Sequence, residues 1–109
     1  MSADEKGYQG WSNYETWCVA LWIDNDQGSY NYWRDRWEEL QEEDVRSDMQ
    51  IKVGIEADRA RIHHLADELQ TRHEELAEEL GVTGVFHDLL TSSLQEVNWQ
   101  EIAESRKEE

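Results

Sequence analysis

The chain has 109 residues, with 26 Asp and Glu against 10 Lys and Arg, a net charge of −16, and no proline. That length supports one domain with a single modest core, and that charge repels free nucleic acid and anionic membrane surfaces while attracting basic protein patches. One cysteine, Cys18, excludes an intrachain disulfide and a thiolate metal cluster, and fits a reducing compartment.

Residues 1–10, MSADEKGYQG, are polar, contain two glycines and show no periodicity, so they read as a flexible lead-in. They have neither a basic n-region nor an apolar run, and nothing in the chain approaches the roughly 18 apolar residues of a membrane span. A cytoplasmic protein with no membrane contact is expected. Order is expected from Trp11, with Ser12 and Glu15 in the S-x-x-E relation of a capping box. Tyr14, Trp17, Cys18, Leu21 and Trp22 then follow the i, i+3, i+4, i+7, i+8 stripe of an amphipathic helix.

The polar DNDQGS, residues 24–29, predicts a turn, and Tyr30, Trp33, Trp37 and Leu40 predict a second helix over about 30–43 with a heptad-like seam. So short a link predicts an antiparallel helical hairpin with Trp17, Trp22, Trp33 and Trp37 buried in its interface. Residues 47–55 are ambiguous, because Met49, Ile51, Val53 and Ile55 alternate like a strand while Ser47 and Gln50 can cap a helix. With no partner strand in view helix is preferred, weakened at Gly54. From Ile55 onward Ile62, Leu65, Ala66, Leu69, Leu76 and Leu80 mark one helix face that Gly81 stops. Val85, Phe86, Leu89, Leu90 and Leu94 make a further stripe, and Asn98 with Glu101 can cap a last helix carrying Trp99, Ile102 and Ala103. The sum is an all-α, compact bundle of four to five helices over residues 11–105, with an aromatic hairpin at its N-terminal end and a frayed tail over 106–109.

Chemistry is harder to find. His64 and Glu68 are four apart, a spacing that can bring two ligands to one ion, but the Glu-x-x-His pairs of a carboxylate-bridged bundle are missing, since Arg61 and Gln70 precede His64 and His73 by three. His63, His64, His73 and His87 therefore read as solvated or capping residues, with no metal or other cofactor expected. No nucleophile, zinc or phosphate-loop motif is present, so no enzyme activity is expected.

The charge is more informative. Residues 1–28, 29–50, 51–80 and 81–109 are each net −4, so the excess covers the whole surface. Denser rows stand out at Glu38, Glu39, Glu42 and Glu43, and at Asp67, Glu68, Glu74, Glu75, Glu78 and Glu79. On a helix, carboxylates four apart repeat every ~6 Å, near the scale of phosphates spaced about 3.4 Å along a nucleic acid strand. On charge alone an ordinary solvated face is the preferred reading over phosphate mimicry, and Arg34, Arg36, Arg59, Arg61 and Arg72 interrupt the rows.

Two segments, NYETWCVALWIDNDQGSYNYW at 13–33 and DLLTSSLQEVNWQEIAES at 88–105, resemble a family of short acidic proteins carried by phages, plasmids and other mobile elements. Asn13 to Trp17, Leu21 to Ile23 with Asn25 and Asp26, Asp88 to Leu90, Glu96 to Trp99 and Glu101 to Ala103 carry the likeness. It brings no catalytic residue with it, and the matching residues look structural. The genomic company implies an anti-restriction or anti-CRISPR inhibitor, a DNA mimic that binds the basic DNA- or RNA-contacting surface of a host-defence protein without binding nucleic acid itself. The two acidic rows are then the expected contacts. The alternative is a helical interaction module that docks through exposed aromatics such as Tyr8, Trp11 or Tyr32 onto a partner or a second copy, its charge serving only solubility.

Overall fold

Asn13, in extended backbone, opens the first helix: its Oδ1 accepts the Thr16 N–H at 2.9 Å. The expected capping box of Ser12 and Glu15 does not form, because the Ser12 N–H is committed elsewhere, donating to Glu101 Oε1 at 3.1 Å. The structure, a computed structural model, describes residues 7–107. Among these are six helices: α1 Tyr14–Asn25, α2 Gln27–Leu40, α3 Asp48–Lys52, α4 Ala57–Leu80, α5 Val85–Glu96 and α6 Trp99–Lys107. The all-helical class is as expected, with more pieces than the four to five of the sequence reading.

The polar turn expected at 24–29 shrinks to one residue. Asp26 closes α1 and caps α2, its Oδ2 accepting the Ser29 N–H at 3.0 Å and the Ser29 hydroxyl at 2.7 Å, which also holds its carboxyl below the usual range. Ser47 and Gln50 do form the reciprocal capping box of α3, at 3.2 and 2.9 Å. That helix lasts one turn and a half, because Gly54 leaves helical space at φ 85°. Gly81, at φ 68°, stops α4 as its position suggested.

The C-terminal helix α6 is the hub. It packs most extensively on α4 and also meets α1 and α2, while α1 touches α2 and α5, and α2 touches α4. Arg61, early in α4, donates from Nε to the Leu40 carbonyl at 2.8 Å at the end of α2, and Arg36 meets Glu68 further along, so α2 and α4 run antiparallel. Ile23, Trp33, Trp37, Leu40, Leu65, Leu69 and Ile102 belong to one buried cluster. Arg106, placed in the frayed tail by the sequence reading, instead lies in the last turn of α6 and is buried, with Nη2 2.7 Å from Asp24 Oδ1. Glu108 and Glu109, and residues 1–6 of the expected lead-in, lie outside the described residues.

The aromatic hairpin is corrected most. Trp33 and Trp37 are buried as expected from the seam, but Trp17 is half-buried and Trp22 is 71% exposed. What α1 turns inward is Thr16, Ala20 and Ile23. Leu76 and Leu80, expected on the core face of α4, are exposed because the core ends near Leu69, where His73 stacks on Trp99 at 5.2 Å.

Candidate functional site

Four of the positions that carried the likeness, Asn13, Thr16, Asn98 and Glu101, meet in one place with Ser12 and the Glu96 carbonyl. The Asn98 N–H donates to Thr16 Oγ1 at 2.8 Å, the Asn13 side chain donates to the Glu96 carbonyl at 2.7 Å, and Glu101 takes the Ser12 N–H. Thr16 and Glu101 are buried there. Asn98 also caps α6, its Oδ1 accepting the Glu101 N–H at 3.0 Å. These bonds satisfy the helix-start donors of α1 and α6 with each other's side chains, so the junction is a clamp that fixes the helices' relative orientation.

The acidic rows reach opposite ends of the α2–α4 pair and meet between them, where Glu39 and Glu68 both bond Arg36. Glu38 and Glu39 stand on the last turn of α2, and Glu42 and Glu43 beyond it, close to the start of α4. Glu74, Glu75, Glu78 and Glu79 stand at the opposite end of α4. At 1.5 Å per residue these end groups are ~20 Å apart along the helix, with Asp67 and Glu68 of the second row between them.

Within these patches the carboxylates are unequal. Glu68 is only part-exposed and is held by Arg36 in a two-pronged bond at 2.8 and 2.7 Å, with His64 Nε2 at 2.8 Å. The Arg36 guanidinium keeps Glu68 below the ordinary carboxylate range against the opposing effect of partial burial, and the Glu68 bond raises Arg36 in return. Glu39 also pairs with Arg36, at 3.2 Å. Glu75 and Glu79 lie 3.7 and 4.0 Å from Arg72, and Glu74 accepts a bond from Gln70 at 3.0 Å. Glu38, Glu42, Glu43, Asp67 and Glu78 are exposed and have no ion pair among the described residues. Asp67, Glu74 and Glu78 fall on the side of α4 turned away from its buried stripe, at the helical spacing of seven and four. No basic residue occupies the last turn of α4, where the helix dipole disfavours carboxylates.

A second surface has the opposite character. Tyr8, Tyr14 and Trp17 form a ring cluster with centroids 5.0 to 5.5 Å apart, on the outer side of α1. Tyr8 is held there by reciprocal backbone bonds with Trp11 at 2.7 and 2.8 Å. Trp22 and Leu21 continue that side toward the end of the helix, and Phe86, Val85 and Leu89 stand exposed on α5. Between α5 and the end of α4 runs an open groove of about 400 Å³, where Ala77, Val82, Leu90 and Leu94 lie beside Glu74, Glu78 and His87, so the acidic face borders it. Sequence periodicity found both apolar stripes and assigned the aromatic one to the core. Only the packing of α6 against the other side of α1 reveals that they face outward.

The histidines do not converge: His64 serves Glu68, His73 bonds the Leu69 carbonyl at 2.8 Å, and His87 stands by Asp88 at 3.5 Å. Among the described residues no three His, Cys, Asp or Glu side chains gather as metal ligands, and no helix is long and apolar enough to cross a membrane.

Residues 4–108 match the model of a family of unknown function, DUF7249, and the chain belongs to that family. No curated protein and no solved structure matches it.

Proposed function

We propose that this protein acts by binding: it docks its acidic helical surface on a basic, nucleic-acid-contacting surface of a host-defence protein, of the restriction or CRISPR kind, and inhibits it. The observation that carries this reading is the free face of α4, where Asp67, Glu74 and Glu78 repeat along one side with no ion pair among the described residues. Carboxylates at the C-terminal end of a helix oppose its dipole, a cost of a few tenths of a kcal/mol each that an approaching cation would relieve. The same spacing suits a cleft built for phosphates, so mimicry of a nucleic acid strand is the proposed mode, carried by a mobile element against its host.

Competition tests it. The protein should displace DNA from a basic nuclease or CRISPR complex, with an affinity that falls steeply as salt is added, and should not bind DNA itself. The triple reversal of Asp67, Glu74 and Glu78 to Lys should abolish displacement while the helical spectrum stays, and reversal of the exposed Glu104 on α6 should not. Inhibition undiminished by the triple change, or achieved without displacing DNA, would discard mimicry by this face. A second reading is favoured by the 71% exposure of Trp22, that of an interaction module that docks by its aromatics. It predicts binding that survives salt.

A further inference from the structure

We infer that the charge-poor outer faces of α1 and α5 are the contact between two copies of this chain. One third of the residues are charged, yet residues 7–23 contain a single charge, Glu15, and residues 81–95 a single one, Asp88. These two stretches build α1 and α5, and the two helices touch, with the Asn13 side chain on the Glu96 carbonyl at 2.7 Å. Depletion of charge around large apolar side chains is the composition of an interface core.

Each helix is also short of cover. α1 is apolar round most of its circumference, and such a helix is ordinarily buried on all sides, while α5 carries an apolar stripe that needs a partner. In α1 the chain covers Thr16, Ala20 and Ile23, while Tyr14, Leu21 and Trp22 lie open on the other side. In α5 no residue is fully buried, although Leu94 packs against the core, and Val85, Phe86 and Leu89 are 63%, 68% and 59% exposed. A helix of 12 residues is marginal by itself in water and draws its stability from a packed face. The radius of gyration, 15.3 Å, exceeds the ~13 Å of a compact chain of this length.

Area and charge both select a second copy as the occupant. The exposed parts of Tyr14, Leu21, Trp22, Val85, Phe86 and Leu89 amount to roughly 700 Å², close to the about 800 Å² that each partner of a stable complex contributes. A basic partner gains nothing from a face with so few carboxylates, since its attraction lies with the acidic patches. Two copies at −16 each repel everywhere else, and this face is where they can meet while keeping their acids at the rim. A two-fold axis would set each face on its equal and leave the free side of α4 open to a target.

Sedimentation equilibrium of the full chain at micromolar concentration decides the matter. The wild type should show twice the 12.9 kDa monomer mass, and moderate salt should favour the dimer by screening the repulsion. Salt would weaken a self-contact made of carboxylates and cations instead, so the sign of its effect tells an apolar dimer from an ion-paired one. Phe86→Asp and Trp22→Asp should each weaken dimerisation by about tenfold or more with unchanged helical circular dichroism, and Leu89→Ser serves where an aspartate variant misfolds. A wild type at 12.9 kDa throughout, a dimer that resists these changes, or one that salt dissociates overturns the inference. Loss of target binding by the variants of a monomeric wild type would assign this face to a heterologous partner. Displacement of DNA by a monomer, or its absence in a dimer, leaves the two proposals distinguishable.

Discussion

Trp22 and Trp33 sit on consecutive helices and belong to the same run of aromatics, yet the first is 71% exposed and the second 4%. Both fall on apolar stripes of helical period. The difference is what lies opposite: Trp33 is in the buried cluster of α2, a helix that packs on α4 and α6, whereas the side that α1 buries is the one with Thr16, Ala20 and Ile23. Polar anchors set that rotation. The Asn98 N–H on Thr16 Oγ1 holds one end of α1, and Arg106 on Asp24 at 2.7 Å holds the other, both from α6. An aromatic stripe thus shows where a chain has apolar surface to cover, and the long-range bonds decide whether the chain itself covers it.

Truncation gives the widest contrast between these regions. Trp33→Ala removes a ring from the closed core and should cost on the order of 3 to 5 kcal/mol, enough to unfold much of the population at ambient temperature. Trp22→Ala should change the stability of the monomer by only about 0.5 kcal/mol or less. Chemical denaturation of both variants at low protein concentration reads this. Equal losses would mean that the outer face of α1 is packed in solution even without a second copy.

The clamp should come next in size. Thr16→Val keeps the volume of a buried residue but removes the acceptor of the Asn98 N–H, which should cost ~1 to 3 kcal/mol in thermal or denaturant unfolding. If the anchors set the rotation of α1, this variant should also change the emission of Trp17 and Trp22 before global unfolding. A loss of stability with native emission would leave apolar packing as the cause of the rotation.

Much of this contrast could be read locally and some of it could not. The Tyr30, Trp33, Trp37, Leu40 seam, the Ser47 and Gln50 box, the Gly81 stop and the Asn98 cap all depend on residues within one or two turns, where spacing alone fixes geometry. The clamp joins residues more than 80 positions apart, and no periodicity encodes which partner an isolated Thr or Glu will find. Its only trace was that the two segments of family likeness contain it. The acidic rows were legible as composition, but not as accessible charge: Glu68 is neutralised by Arg36 because α2 packs antiparallel on α4. Glu42 and Glu43 also lie at the opposite end of that pair from Glu74 to Glu79, a separation that requires the packing to be known.

Glu68 supplies a smaller, pH-dependent test of core-side against free-side carboxylates. Its folded pKa is depressed, first by the bond from Arg36, so its contribution is present above the ordinary carboxylate range and is lost as pH falls through the lowered folded value. Asp44, held down to about 2 by Arg46, behaves likewise over the span from ordinary carboxylate values to about 2. The Glu68 pair is partly open to solvent, which limits its worth to ~1 kcal/mol or less. Melting temperatures of the wild type and Arg36→Gln should therefore differ at neutral pH and converge in acid, once the pH has fallen through the lowered Glu68 value and the carboxylate has taken up its proton. A difference independent of pH would mean that Arg36 acts by packing its aliphatic stem.

Salt should have the smallest effect and the sharpest meaning for the two surfaces. Self-repulsion at −16 opposes compaction, so moving from low to moderate ionic strength should raise the monomer's melting temperature, although screening also weakens pairs such as Arg72 with Glu75. The net sign should be positive, because acids outnumber bases and those pairs are exposed. The triple reversal of Asp67, Glu74 and Glu78 should flatten this dependence, whereas Phe86→Asp, which adds a charge on the neutral face, should steepen it slightly. A wild type indifferent to salt would mean that its ion pairs already balance the charge locally. The unpaired face of α4 would then lose the electrostatic excess on which its proposed attraction to a basic target depends.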